Sequence, residues 1–170
     1  MADGARVVMR GPGDAHHATW AMGSLFEHLL LPDESAGRLS VATVSQPPGI
    51  ATPLHRHTRE AEAFFLLEGE MTYRAGEELF DLTPGCFMYL PQGVPHAFRT
   101  RGDGPVCYVA LTEPGHLLAL YDEVGVPADA LRIPAQGEGL AMEAEIARWN
   151  EVGPRYGLEV VGPPIPEDAP

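Results

Sequence analysis

Residues 49–62 have the sequence GIATPLHRHTREAE, which places His55 and His57 one residue apart. Alternate side chains of a β-strand point to the same face, so both imidazoles would project from one side of a strand. Glu62 opens the apolar run at 63–67, and a tight turn would bring its carboxylate back beside the two imidazoles. The segment therefore predicts strand, turn and strand, with three ligand-type side chains close together.

A second segment supplies a further histidine. Residues 85–100 contain the turn PQGVP at 91–95, and His96 follows that turn directly. Three imidazoles and one carboxylate form a mixed nitrogen and oxygen donor set that suits a first-row divalent metal. The sequence therefore predicts one divalent transition metal per chain. The predicted ligands are His55, His57, Glu62 and His96.

The spacing of the first segment resembles the first motif of the cupin family. Gly49 is followed after five residues by His55-x-His57, after four more by Glu62 and after six more by Gly69. A lone His-x-His pair is weak evidence, whereas a whole motif at fixed spacing is specific. The resemblance implies that both histidines and the glutamate are metal ligands.

The second segment resembles the second cupin motif in the same way. Gly85 is followed after five residues by Pro91-x-Gly93, after two more by His96 and after three more by Thr100. The family usually has Asn at that last position. It is not a ligand in the family pattern, so the departure leaves the predicted metal site untouched. The wider layout of the chain resembles the quercetin-dioxygenase-like cupins.

Short strands separated by Gly, Pro and Asp turns dominate residues 54–111, which is typical of an all-β sandwich or barrel. The cupin resemblance selects the double-stranded β-helix, a jelly-roll barrel, with short C-terminal helices. One short strand is expected near Val7 to Met9. The expected parts are an N-terminal arm at 1–19, a cupin barrel at 20–115, and a helical extension and tail at 116–170 packed on the barrel.

Two helices are expected after the barrel, at 116–124 and 138–150. In the second, Met142, Ile146 and Trp149 form an apolar stripe at helical spacing, which is usually a packing feature. The first helix is expected to close the barrel mouth, because it follows the last motif strand directly.

Strand parity predicts which side chains point into the barrel and line a substrate pocket. The predicted pocket residues are Phe64, Leu66, Met71, Tyr73, Met88, Leu90 and Phe98. Phe65, Phe87 and Tyr89 would lie on the opposite face. Because exposed aromatic patches commonly mark an interaction surface, a homodimer is expected.

The other histidines give weaker signals. His16 and His17 are adjacent in a segment without periodicity, and we expect both to be exposed to solvent. His28 is expected to be structural, since no ligand-type residue stands at strand spacing from it along the chain. His116 is expected at the surface near the start of a helix.

Composition limits the partners and the compartment. The chain has 170 residues and a net charge of −13, which disfavours nucleic acid and anionic membranes as partners. No apolar run approaches the roughly 18 residues that a membrane-spanning helix needs. Cys86 and Cys107 are too few for a disulfide framework, and no signal-peptide pattern opens the sequence. A cytoplasmic protein is expected.

Four protein ligands leave one or two coordination positions open, as in catalytic metal sites. The resemblance implies a dioxygenase that uses O2 on a small enolic or phenolic aromatic substrate. It also implies that Glu62 could act as a base toward the substrate hydroxyl; the other interpretation is a permanent ligand. The carboxylate favours Fe, Ni or Mn, while Zn, Co and Cu also bind imidazole.

Two other functions stay open. A redox-neutral isomerase, lyase, decarboxylase or cyclase would use the metal as a Lewis acid. A non-catalytic small-molecule binder would keep the metal for stability or recognition. Because fold does not decide function, O2 consumption is the observation that separates the dioxygenase from these alternatives.

Overall fold

The computed structural model describes residues 4–11, 13–14 and 17–167, and β-strands dominate it. The strands are β1 His17–Ala21, β2 Ser24–Leu30, β3 Ser40–Gln46, β4 Leu54–His57, β5 Ala61–Glu68, β6 Glu70–Ala75, β7 Glu78–Leu82, β8 Phe87–Leu90, β9 His96–Arg101, β10 Val106–Glu113, β11 Val126–Pro127 and β12 Leu158–Gly162. The helices are α1 Ala119–Val124 and α2 Met142–Val152, with short 3-10 turns at Pro32–Glu34 and Gly153–Tyr156.

The strands form two antiparallel sheets. Within the described residues, the larger sheet has the order β11-β1-β2-β3-β10-β5-β8 and the smaller has the order β12-β4-β9-β6-β7. Some consecutive strands therefore lie in different sheets, as β4 and β5 do. The predicted all-β jelly-roll barrel with short C-terminal helices is confirmed.

The core lies between the two sheets, because each strand alternates buried and more exposed side chains. In β3, Ser40, Ala42 and Val44 are buried and the residues between them are half-buried, and β10 alternates in the same way. Aromatic side chains of both sheets meet in this core: Phe26, Phe64, Tyr73, Phe98 and Tyr108. Burial of such side chains contributes about 1.5–3 kcal/mol each to folding.

Gly69 shows why the first motif ends in glycine. It joins β5 to β6 with a φ of +80°, in the left-handed region that disfavours other residues. A Cβ at this position would lie 2.6 Å from the carbonyl oxygen of Pro105, so the close approach to the neighbouring chain also excludes a side chain. The turn that returns β5 toward the barrel depends on both properties.

The ends of the chain differ from the sequence expectation. No strand forms at 6–11 among the described residues, so the expected strand near Val7 is wrong, and β1 begins at His17 inside the expected arm. The extension also contributes strands to the barrel, since β11 pairs with β1 and β12 pairs with β4. Strand pairing between residues over 100 positions apart leaves no local pattern in the sequence.

The outer face of the larger sheet carries aromatic side chains. Phe87 and Tyr89 of the edge strand β8 are 63% and 58% exposed, and Phe65 of β5 is the register partner of Phe87. Strand parity predicted this side for all three residues. Among the described helices, none is long and apolar enough to cross a membrane. Cys86 and Cys107 are free thiols.

Candidate metal centre

Three strands bring the four predicted ligands together. His55 and His57 alternate on β4, and His96 opens β9 as the register partner of His55. Glu62 reaches them from β5, which belongs to the opposite sheet. All four side chains are buried. β12 pairs with β4, and the pairing begins with Leu158 opposite His57. β12 therefore supports the strand that carries two of the four side chains.

The donor atoms converge. Ligand nitrogens of His55, His57 and His96 lie within 4.8 Å of one another. The Oε2 atom of Glu62 lies 3.1 Å from His57 Nε2 and 3.0 Å from His96 Nε2. This is a compact set of three imidazoles and one carboxylate, which are the ligand types that first-row divalent metals take.

Backbone carbonyls set the orientation of two imidazoles. His55 Nδ1 donates to the carbonyl oxygen of Pro53 at 2.8 Å, and His96 Nδ1 donates to that of Val94 at 2.9 Å. An imidazole whose Nδ1 carries the proton offers its Nε2 lone pair as a ligand. Metal-binding histidines commonly have this second hydrogen bond, because it fixes both the tautomer and the ring orientation.

A buried ring nitrogen of His96 also indicates that the site suits a cation. His96 Nε2 is buried and has no hydrogen-bond partner within the described part of the chain. With its Nδ1 proton committed to Val94, this nitrogen is an acceptor, yet it faces the acceptor oxygen of Glu62 at 3.0 Å. Two facing acceptors repel unless a positive charge lies between them, and a divalent metal would supply that charge.

The electrostatics favour the ligand forms of His55 and Glu62. At His57, burial lowers the pKa but the neighbouring Glu62 outweighs it and raises the pKa, so this ring has to release a proton when it binds a metal. Burial and the neighbouring imidazoles lower the pKa of His55 to about 3, so its ring is neutral near pH 7. Burial alone would raise the pKa of Glu62, but the adjacent His57 and His96 outweigh it and lower that pKa below its usual range. In metal-free protein the Glu62 carboxylate is therefore ionised, as a ligand has to be.

A small cavity of about 40 Å³ adjoins the ligands, with room for about three water molecules. Its wall includes Phe64, Tyr73 and Phe98 from the predicted pocket. The other predicted pocket residues lie in or against the hydrophobic core and do not line this cavity: Leu66, Met71, Met88 and Leu90. Parity fixes the side of the sheet on which a residue lies, whereas height along the barrel decides whether it reaches the site.

A larger cavity of about 420 Å³ lies beside the small one. The two share a wall formed by Phe26, Thr52, Phe98, Tyr108, Tyr121 and Trp149. Met142 and Ile146 line the larger cavity as well, so the apolar stripe of α2 borders open space instead of packing against the barrel. From α2, Trp149 and Asn150 also line this cavity, whereas α1, the helix expected to close the barrel, contributes Tyr121, which stacks on Phe26 at 4.0 Å.

Glu60 is a buried carboxylate beside the ligands that the sequence interpretation missed. Its Oε2 atom has no hydrogen-bond partner within the described residues, and neither has Nδ1 of His57. Burial raises the pKa of Glu60, an effect that the nearby His57 partly offsets. The available signal was its position in the sequence, three residues after His57 and two before Glu62.

His17 and His28 have neighbours that the spacing along the chain did not indicate. His17 is half-buried, and His28 pairs with it across β1 and β2. Both lie near Asp122 of α1, so His28 does have a ligand-type neighbour, on the adjacent strand. His116 is exposed, as expected. His16 lies outside the described residues.

Comparison with known sequences identifies relatives. A family model described as Cupin domain matches residues 42–112, a range that contains all four ligands. An uncharacterized protein of Methanocaldococcus jannaschii is 30% identical over 93 residues, 54% of this chain and 74% of that protein. The quercetin 2,3-dioxygenase of Bacillus subtilis is 30% identical over 112 residues, 66% of this chain but 29% of the enzyme. The chain thus spans less than a third of that enzyme.

Solved structures share the architecture. An RmlC-like cupin from Shewanella frigidimarina has a TM-score of 0.54 at 16% identity, covering 65% of this chain and 93% of that one. A predicted oxalate decarboxylase from Thermotoga maritima has a TM-score of 0.53 at 20% identity, covering 64% and 98%. At such identities the likeness concerns the fold. The family match across both motifs identifies residues 42–112 as a cupin domain, and the shared architecture agrees with that assignment.

Proposed function

We propose that the protein is a metal-dependent dioxygenase that acts with O2 on a small enolic or phenolic aromatic molecule. The observation that carries the proposal is the position of the four ligand-type side chains beside an apolar, aromatic-walled cavity of about 420 Å³. Small-molecule sites typically have volumes of about 300–1,000 Å³ and mostly apolar walls with a few polar groups. The homology to a quercetin 2,3-dioxygenase supports the same reaction class.

His55, His57, His96 and Glu62 would hold the metal through three nitrogens and a carboxylate oxygen. A bound divalent metal supplies positive charge for a deprotonated substrate oxygen and an open position for a further ligand. Fe, Ni or Mn is the proposed ion, on the grounds of the carboxylate ligand. Neutral His55, with its low pKa, needs no deprotonation before it binds.

The two cavities suit different parts of a planar substrate. The small cavity admits only a reacting edge of the molecule, since it has room for about three waters. The larger one would take the rings, with the stacked pair Phe26 and Tyr121 as an apolar surface and Trp149 beside both spaces. Buried aromatic walls also exclude water, which strengthens electrostatic interactions at the ligand end.

Glu62 has two proposed roles that experiment can separate. As a ligand, its carboxylate needs to be ionised, which its lowered pKa favours. As a base, it would need a higher pKa, which requires neutral His57 and His96, the form that both take when they bind a metal. In Glu62→Gln protein, loss of metal affinity would indicate the ligand role. Retained metal with lost O2 uptake would indicate the base.

A redox-neutral reaction is the alternative, and the small size of the inner cavity favours it. A volume of about 40 Å³ suits a compact substrate bound entirely at the metal. On such a substrate the metal would act as a Lewis acid for an isomerase, lyase or decarboxylase, without O2. The larger cavity would then serve as the entrance.

The test is metal analysis of protein purified without chelator or histidine tag, followed by O2-electrode measurements with flavonols. We expect iron, nickel or manganese and O2 uptake that depends on both metal and flavonol. His57→Ala protein is the matched control that should show no uptake. Zinc, or a redox metal without O2 uptake across aromatic substrates, would support the redox-neutral enzyme. Flavonol binding without product would indicate a binding protein.

A further inference from the structure

His17, His28 and Asp122 form a second group of ligand-type side chains, away from the cupin centre. His17 and His28 are register partners in the β1–β2 hairpin, and their rings lie 5.0 Å apart. Asp122 of α1 faces both, with Oδ1 2.9 Å from His17 Nε2 and 3.3 Å from His28 Nε2. The three donor atoms lie within 4.8 Å of one another.

A hydrogen-bond network explains part of this arrangement. Asp122 Oδ1 contacts His17 Nε2 and accepts a hydrogen bond from the hydroxyl of Thr19. The network leaves one atom unexplained. His28 Nε2 lies close to Asp122, but the two groups are not aligned for a hydrogen bond. This nitrogen has no other partner among the described residues.

The unpartnered nitrogen points to a ligand. His28 is 1% exposed, so water from bulk solvent does not satisfy its ring, and an unpaired buried polar atom is unfavourable. The atom faces a carboxylate oxygen and a second imidazole, which are donors to a common metal.

Charge and access also suit a cation. Asp122 adds a carboxylate, which attracts a cation, to the two imidazoles. The side chains of His17 and Asp122 are 39% and 32% exposed, so an ion can enter from solvent and keep water as a further ligand.

We propose that His17, His28 and Asp122 bind a second divalent transition-metal ion, of the class that takes imidazole and carboxylate ligands. Two imidazoles and one carboxylate, completed by water, are a common zinc donor set. The ion joins α1 to the β1–β2 hairpin. Since Tyr121 beside Asp122 lines both cavities, the ion also fixes one wall of the proposed substrate site.

The test is stoichiometry with Zn²⁺ and Co²⁺ on metal-stripped full-length protein. We expect wild type to bind two ions per chain and His17→Gln to bind one, since His17 is partly exposed and its replacement should be tolerated. His116→Gln, which replaces an exposed histidine outside both groups, should bind two. Equal stoichiometry in wild type and His17→Gln would overturn the proposal.

A second background separates this site from the cupin centre. His55→Ala/His57→Ala protein should still bind one Co²⁺, with the visible absorption of a four- or five-coordinate ion, and Zn²⁺ should raise its Tm. Adding Asp122→Asn should weaken this binding by more than about tenfold and remove the Tm shift. No binding in the folded double variant would overturn the second site without bearing on the proposed function. If the double variant does not fold, the comparison of wild type with His17→Gln decides alone.

Discussion

His96 Nε2 lies 3.0 Å from Glu62 Oε2, although His96 belongs to the smaller sheet and Glu62 to the larger one. A metal bound between them therefore joins the two sheets of the barrel. Because the joined arrangement exists only in the folded state, metal binding adds directly to the free energy of unfolding.

We expect metal removal to destabilise the protein through this centre. At a free metal concentration of 100 times Kd, binding adds about 2.7 kcal/mol to the free energy of unfolding. His57→Ala should lose one equivalent of metal and most of that gain, measured by mass spectrometry and urea denaturation with and without chelator. His116→Ala should behave as wild type. Full wild-type metal content in His57→Ala would refute the ligand assignment.

The larger cavity can be filled without touching the ligands. Ile146 lines it from α2, so Ile146→Trp should weaken binding of a planar aromatic ligand by about tenfold, or about 1.4 kcal/mol, while metal content stays unchanged. Ligand titration by fluorescence measures the change. Leu79→Trp on β7, an exposed position outside this cavity, is the control. Equal affinity in both variants would mean that the ligand binds elsewhere.

The ion pair at Glu34 predicts a pH-dependent stability. Glu34 is 2% exposed, and its hydrogen bond from Arg10 lowers the pKa of its carboxyl to about 2. A lowered carboxyl pKa stabilises the fold above about pH 4.5, and this contribution is lost as the pH falls toward 2. Glu34→Gln should therefore cost roughly 1.5–3 kcal/mol near pH 6.5 and much less near pH 3, by urea denaturation.

Glu77→Gln is the control for this measurement, because Glu77 is almost fully exposed and its carboxylate lies 3.9 Å from Arg74. It should change stability by less than about 0.5 kcal/mol at either pH. His55 also makes the metal-free protein less stable at low pH. Because the pKa of His55 is about 3 in the folded state, the unfolded chain binds a proton at a higher pH than the folded chain does. The free energy of unfolding therefore falls as the pH drops from 6.5 toward 3. A cost of Glu34→Gln that is independent of pH would contradict this account.

The aromatic face of β5 and β8 is the expected dimer contact. Phe87 and Tyr89 are exposed on the edge strand, which also offers unpaired backbone groups to a second copy. Phe87→Glu should shift the protein toward monomer in sedimentation velocity, because the change places a charge in an apolar contact. Val7→Glu, at an exposed position in the N-terminal segment, should not. A wild-type monomer at high concentration would disprove the expectation.

Sequence patterns predicted the parts of the site that lie within one or two strands. His55 and His57 share a face because they alternate on one strand. The same alternation predicted that Phe65 and Phe87 lie on the outer face, where they are exposed. Tyr121 and Trp149 were not assigned to the cavity wall. They reach it from two helices far along the chain, and tertiary packing at that distance leaves no period or spacing in the sequence.

The pairing of His17 with His28 follows from the turn between their strands. Met22 and Gly23 form a two-residue turn with φ values of 52° and 69°, the geometry of a type I′ hairpin. Such a turn fixes the register, and counting outward from it pairs residue 17 with residue 28. Asp122 could not be found in this way, because α1 approaches the hairpin only in the folded protein.

The pairing of β12 with β4 sets an order of events during biosynthesis. β4 carries His55 and His57, and its neighbour β12 ends at Gly162, more than 100 residues later in translation. While the ribosome is still making that segment, the strand with both histidines lacks one of its two neighbours. The sheet around the two histidines is therefore complete only after β12 has been translated.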